Sequence, residues 1–144
     1  MLPIYTLKFD GSCWPNPGGR AGYGYILETP SVTIKESKEI LGIETSNNLA
    51  EYVALYEGLK AFTVDYENEK CTLNIIGDSQ FVINQMTDKW KIRSKDKPFY
   101  EYAIKSRELV KILRKKGIEV IFTWVRREQN QDCDDLSKKH LEAK

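Results

Sequence analysis

Residues 4–19 read IYTLKFDGSCWPNPGG, and the way this stretch divides decides the fold. Ile4 to Phe9 alternates apolar and polar positions and carries β-branched and aromatic side chains, the pattern of a half-buried strand. Gly11, Pro15, Asn16, Pro17, Gly18 and Gly19 then form a cluster that reads as a loop. Asp10 therefore stands at a strand's end. An aspartate there has an ordinary use, which is to start the turn by bonding its own backbone. Whether it has another use depends on what the rest of the chain brings to the same place.

Working outward, Gly22 to Glu28 and Val32 to Gly42 read as two strands joined across Thr29, Pro30 and Ser31, a hairpin pattern. Leu49, Tyr52, Val53, Tyr56, Leu59 and Phe62 recur at helical spacing, so a helix begins after Asn48 and runs to about Tyr66. Thr72 to Gly77 is a short, nearly continuous apolar run of the kind a central, doubly covered strand shows. Ser79 to Thr87 reads as helical, and so does Phe99 to Lys116, which ends at Gly117. Ile118 to Val125 is a fifth strand, and Asn130 opens a last helix. A hairpin start followed by alternating helices and strands implies an α/β fold with a mixed five-stranded sheet and helices on its faces. Ligand sites in open sheets lie beyond the carboxyl ends of the strands. Asp10 and Asp78 both occupy such ends.

The 144 residues make one ordinary domain, expected to span 1–144, and the 41% hydrophobic and 30% charged content suits a globular chain. There is no charged leader followed by a long apolar run, and no stretch approaches the roughly 18 apolar residues of a membrane span. A cytoplasmic protein without membrane attachment is expected. The three cysteines have no C-x-x-C spacing and are read as reduced, packed thiols. The net charge of +1 hides an uneven distribution: KWKIRSKDK, residues 89–97, carries five basic residues against one acid. Such a run is either a solvated face or an electrostatic footprint for nucleic acid.

Each carboxylate near the strand ends has an ordinary explanation. Glu51 follows Asn48 by three residues, as in a capping box. Asp78 or Ser79 would cap the following helix. Asp132, Asp134 and Asp135 lie in the first turn of the last helix, where negative charge suits the dipole. These explanations do not account for the convergence. Two strand ends and two helix starts facing one sheet edge would gather four carboxylates in one pocket, an arrangement that is repulsive without cations. Mg²⁺ takes oxygen ligands and shares its remaining sites with phosphates, so the pattern points to metal-assisted phosphodiester chemistry.

Four stretches carry a family resemblance: FDGSCWPNPGGRAGYGYIL (9–27), TSNNLAEYVALYEGL (45–59), GDSQFVINQM (77–86) and WVRREQNQDCDDLSKK (124–139). In content and order they resemble type-1 ribonuclease H over nearly the whole chain. The resemblance implies a ribonuclease H-like fold, with a five-stranded mixed sheet and helices on both faces. It also implies an endoribonuclease that hydrolyses the RNA strand of RNA–DNA hybrids with two Mg²⁺ ions, Mn²⁺ being a possible substitute, and leaves 3′-hydroxyl and 5′-phosphate ends. The catalytic and metal-binding residues it implies are Asp10, Glu51, Asp78 and Asp134. Asp134 is chosen because N-x-x-C-D-x-L matches the family's pattern, with Asp135 the main competitor. Substrate contacts are implied at Gly11, Ser12, Asn16, Ser46, Asn47, Gln80 and Trp90, with backbone of the Gly/Asn/Pro turn reading 2′-hydroxyls. Ser46 and Asn47 are equally well read as helix-start residues that satisfy backbone.

Two departures matter. Many relatives carry a long basic helical protrusion, and here only KIRSKDK separates Trp90 from Pro98, which implies weaker hybrid affinity. Many also place a histidine in a flexible loop before the last carboxylate. Here Trp124 to Asp134 is too short for that loop, and the sole histidine is His140 in the tail. The chain is therefore expected to be a compact, monomeric member of the family. The competing functions are a hybrid-binding module that has lost catalysis, or another nuclease of the same fold such as a resolvase or a detached reverse-transcriptase domain.

Overall fold

A computed structural model describes residues 2–42, 44–66, 70–93 and 95–141. Within the basic segment 89–97, Ser94 lies outside the described residues. The strands are β1 (Ile4–Trp14), β2 (Arg20–Glu28), β3 (Thr33–Ile40), β4 (Thr72–Gly77) and β5 (Glu119–Trp124). The helices are α1 (Asn47–Asp65), α2 (Gln80–Met86), α3 (Phe99–Lys115) and α4 (Gln131–Lys138), and 3₁₀ turns at Arg127–Asn130 and Lys139–Leu141 flank α4. The sheet has five strands in the order β3-β2-β1-β4-β5. β1–β2 and β2–β3 are antiparallel, β1–β4 and β4–β5 parallel, so it is mixed, as expected. Among the described residues no helix is long and apolar enough to cross a membrane.

The two faces of β1 go to different layers because side chains alternate along a strand. Tyr5, Leu7 and Phe9 point into the main core with Tyr23, Tyr25 and Leu27 of β2, Leu55, Leu59 and Phe62 of α1, and Leu113 of α3. α1 is buried almost all round at its start, Leu49 through Leu55, because it runs between the sheet and α3. The opposite face carries α4, which packs on β1, β2 and β3. Glycine admits it: a Cβ at Gly24 would lie 2.4 Å from Leu136 Cβ, and one at Gly22 would lie 2.5 Å from the Ser137 carbonyl.

Two details correct the reading of the sequence and a third decides between its alternatives. Asp10 does not end its strand. β1 continues to Trp14, because Gly11–Trp14 pair with Arg20–Tyr23 of β2 while the parallel pairing with β4 stops at Lys8–Ile76. Asp10 therefore lies within a hairpin arm that overshoots the carboxyl end of β4, and the loop shrinks to residues 15–19. The second detail is at α1, which starts at Asn47 with Ser46 as its cap, the Ser46 hydroxyl accepting from Leu49 N at 3.0 Å. Asn48 thus lies inside the helix, and Glu51 has no capping work. At α2 the cap is Ser79, accepting from Val82 N at 3.2 Å, which leaves the Asp78 carboxyl without capping work.

Candidate active site

Where β1 overshoots β4, the Asp10 carboxylate meets Glu51 from α1 and Asp78 from the residue after β4. One oxygen of each lies within 4.8 Å of the others. Glu51 reaches the group because Gly11 lets helix and strand touch: a Cβ at Gly11 would lie 2.3 Å from Ala50 C. The Gly11 amide then donates to Glu51 Oε1 at 2.5 Å. Asp78 is held through its backbone, its carbonyl accepting from Trp124 Nε1 at 3.0 Å. From the other face α4 brings Asp134 against Asp10. Asn130, fully buried just before α4, donates to the Phe9 carbonyl at 3.0 Å and ties that helix start to β1.

The last helix separates the three candidate aspartates. Asp134 is buried and lines the cleft. Asp135 is exposed and accepts from Gln131 Nε2 at 2.8 Å. Asp132 is also exposed, pairing with Lys8 at 3.4 Å outside the cleft. Helical rotation of about 100° per residue carries neighbours to different faces, so only one of the three enters.

The electrostatics are those of charge crowded in a poor solvent. Burial, reinforced by Asp78 and Asp134 and opposed by a hydrogen bond with Glu51, pushes the Asp10 carboxyl up to about 8. Burial and then Asp10 raise Glu51 well above the carboxylate range. Burial also raises Asp78, although Asn130 and Arg127 partly offset it, and Asp78 Oδ2 is buried without a hydrogen-bond partner. Asp134 goes the other way: burial would raise it, but its hydrogen bonds with Asp10 and Lys138, and the charge of Arg127, hold it low. Lys138 Nζ sits 3.2 Å and Arg127 Nη2 3.6 Å from its oxygens. Four clustered carboxylates, with one buried oxygen unpartnered, suit a hard divalent cation that takes oxygen ligands.

The surrounding cleft, of about 710 Å³, is lined by these four carboxylates and by Gly11, Ser12, Asn47, Ser79, Arg127 and Lys138 among others. Of the expected substrate contacts, Gly11, Ser12 and Asn47 face it. The Ser12 hydroxyl donates to the Ser137 carbonyl at 2.9 Å, and the Asn16 side chain accepts from Asn47 N at 2.9 Å, fastening the turn to α1. Ser46 spends its hydroxyl on the cap. Gln80 is exposed at the start of α2 and Trp90 is 48% exposed beyond its end, and neither lines the cleft. His140 is buried on the α4 side, and it too is outside the cleft. Reasoning from the sequence missed Arg127, Lys138 and Trp14. The four-residue spacing from Asp134 to Lys138 was a signal for the second.

Comparison with known proteins follows the same lines. The RNase H family profile matches residues 3–142. The chain is 32% identical to a ribonuclease H of Campylobacter curvus, over 95% of this chain and 92% of that one. It is 31% identical to a bifunctional protein of Mycobacterium tuberculosis, of which it spans 35%. Among solved structures it is similar to ribonuclease H1 of Halobacterium salinarum, with a TM-score of 0.78, 27% identity, and coverage of 98% and 99% of the two chains. A compost-derived ribonuclease H1 solved in complex with an RNA/DNA hybrid shares the fold, with a TM-score of 0.76 at 24% identity over 94% of each chain.

Proposed function

This chain belongs to the ribonuclease H family, and on that premise we propose that it cleaves the RNA strand of RNA–DNA hybrids with divalent cations, leaving 3′-hydroxyl and 5′-phosphate ends. The observation that carries the reading is the convergence of Asp10, Glu51 and Asp78 within 4.8 Å, joined by Asp134 across the sheet. Those four side chains would hold two Mg²⁺ ions, or Mn²⁺ in their place. When bound, the ions would acidify the attacking water and stabilise the leaving oxygen.

The chain's own residues do the rest. Asp10 is raised by burial and by the charges of Asp78 and Asp134, and Glu51 by burial and by Asp10, so both bind protons until a cation neutralises the cluster. Asp134 is already ionised against Lys138 and Arg127, and these two cations are positioned to meet the phosphates of the scissile strand. The Gly11–Ser12 backbone offers polar groups to 2′-hydroxyls, the atoms that distinguish RNA from DNA. Asn16, Ser46 and Asn47 brace the hairpin turn against α1 where that strand would pass. Gln80 and Trp90, outside the cleft, would contact the hybrid only at its periphery. We extend the proposal to a single catalytic domain over residues 1–144, acting as a cytoplasmic monomer.

The test is a panel of end-labelled hybrid, duplex DNA and duplex RNA with Mg²⁺ or Mn²⁺. Cleavage of the hybrid alone, in its RNA strand, is expected. An intact hybrid with either metal would overturn the reading.

A further inference from the structure

The three tryptophans differ in what the protein does with them. Trp124 spends its indole N–H on the Asp78 carbonyl at 3.0 Å and is 42% exposed. Trp90 is 48% exposed and lies outside the cleft. Trp14 is 78% exposed, its indole makes no hydrogen bond or ring contact to the described residues, and it lines the same cleft as the four carboxylates. It is the last residue of β1, paired with Arg20. Asp10, Ser12 and Trp14 alternate onto one face of the strand. Four residues of extended chain set the Trp14 backbone about 13 Å along β1 from that of Asp10. Leu141, 42% exposed, lines the cleft with it.

An indole of this size is normally buried or hydrogen-bonded, because its apolar area is costly to leave in water. Here it stands in solvent at the end of the hairpin arm. Its neighbours set the chemistry of what covers it: Arg20 beside it is held by Glu39 at 3.1 Å and donates to the His140 carbonyl at 3.0 Å, and the Gly11–Ser12 backbone lies between the indole and the carboxylates. A duplex buries its base faces by stacking, whereas the wide, shallow minor groove of an A-like helix presents sugars. We propose that Trp14 is a substrate-positioning residue whose indole packs against a ribose of the RNA strand, in the minor groove beside the cleavage site. The contact sets hybrid affinity and the register of the cut. This inference rests on the function proposed above.

The test uses the full chain. Trp14→Ala should lower kcat/KM on a hybrid about tenfold, with the loss carried by KM and not by kcat, and Trp14→Phe should stay within about threefold of wild type, since a planar ring remains. In an Asp10→Asn background, where binding is read without cleavage, hybrid should quench tryptophan emission. Adding Trp14→Ala should remove most of that quench and weaken the anisotropy-measured affinity by a similar factor. Equal affinity and equal quench in the two proteins would overturn the inference while leaving the proposed function standing. A loss seen only with single-stranded overhangs would also overturn it, by making the contact base stacking at an end. If wild-type protein neither binds nor cuts the hybrid, the functional reading fails first.

Discussion

The carboxylates where β1 overshoots β4 and the cations of residues 89–97 are both clusters of like charge, yet the first is buried and the second is spread in solvent. Asp10, Glu51 and Asp134 are all under 10% exposed. Lys89, Lys91, Arg93, Lys95 and Lys97 are exposed and make no ion pair among the described residues. Water and salt screen the basic run, so it folds at little cost and needs no partner to exist. The acidic group has no such screening. Its members titrate upward or borrow Lys138 and Arg127, so a bound cation would relieve it. Like charge in solvent is consistent with a surface, and like charge in the interior fits a cation.

The strongest way to break that contrast is Asp10→Asn, expected to abolish hybrid cleavage by more than about a thousandfold while leaving the fold intact, because it removes a ligand and not a core contact. The same variant reports the electrostatic cost directly. Asp10 ionises at an ordinary value of 3.8 when unfolded and at about 8 when folded. The folded state therefore binds the extra proton between those values, and the stability of the metal-free protein falls as pH rises through that window. Asp10→Asn should accordingly raise the melting temperature of metal-free protein at pH 8 and raise it less at pH 5. A gain that is the same at both pH values would mean that Asp10 is solvated.

Within the last helix, Asp134→Asn should lose at least about a hundredfold in kcat, whereas Asp135→Asn and Asp132→Asn stay within about threefold, since both lie in solvent outside the cleft. A dead Asp135→Asn protein would mean that α4 turns differently when substrate binds. The basic segment should respond more softly. Replacing Lys89, Lys91 and Arg93 together by Ala should raise KM and flatten its salt dependence, as expected when phosphate contacts are lost. An unchanged salt slope would make the run a solvated face only.

The smallest catalytic effect is expected at His140. The imidazole lies over Gly22, with Nδ1 2.1 Å from where a Cβ would sit, and outside the acidic cleft. His140→Ala should cost about 1–3 kcal/mol of stability by opening a void beneath α4. The turnover number should change less than about threefold, a barrier change below roughly 0.7 kcal/mol, with the pH–rate profile unaltered. A missing inflection near neutral pH would show that the tail reaches the site.

Sequence alone determined the element order, the mixed five-stranded sheet and the family, because period-2 and helical patterns are local and the quoted motifs are contiguous. It also marked Asp10, Glu51 and Asp78 as carboxylates at strand and helix junctions. It placed the end of β1 too early, since glycine and proline in residues 11–19 signal a loop, while only pairing with β2 shows that Gly11–Trp14 are still strand. Local pattern alone also allowed Glu51 a capping use, since N-x-x-E is a sound local motif, and only the Gly11 amide bonded to Glu51 shows where that carboxylate goes. Asp134 could not be separated from Asp135 by spacing alone. Their difference is a rotation about the α4 axis, set by Asn130 bonding the Phe9 carbonyl and by Gly22 and Gly24 admitting the helix to the sheet. Charge that converges from four distant segments is decided by such packing, because burial, and with it every shifted ionisation in the cleft, is a property of what lies nearby in space and not along the chain.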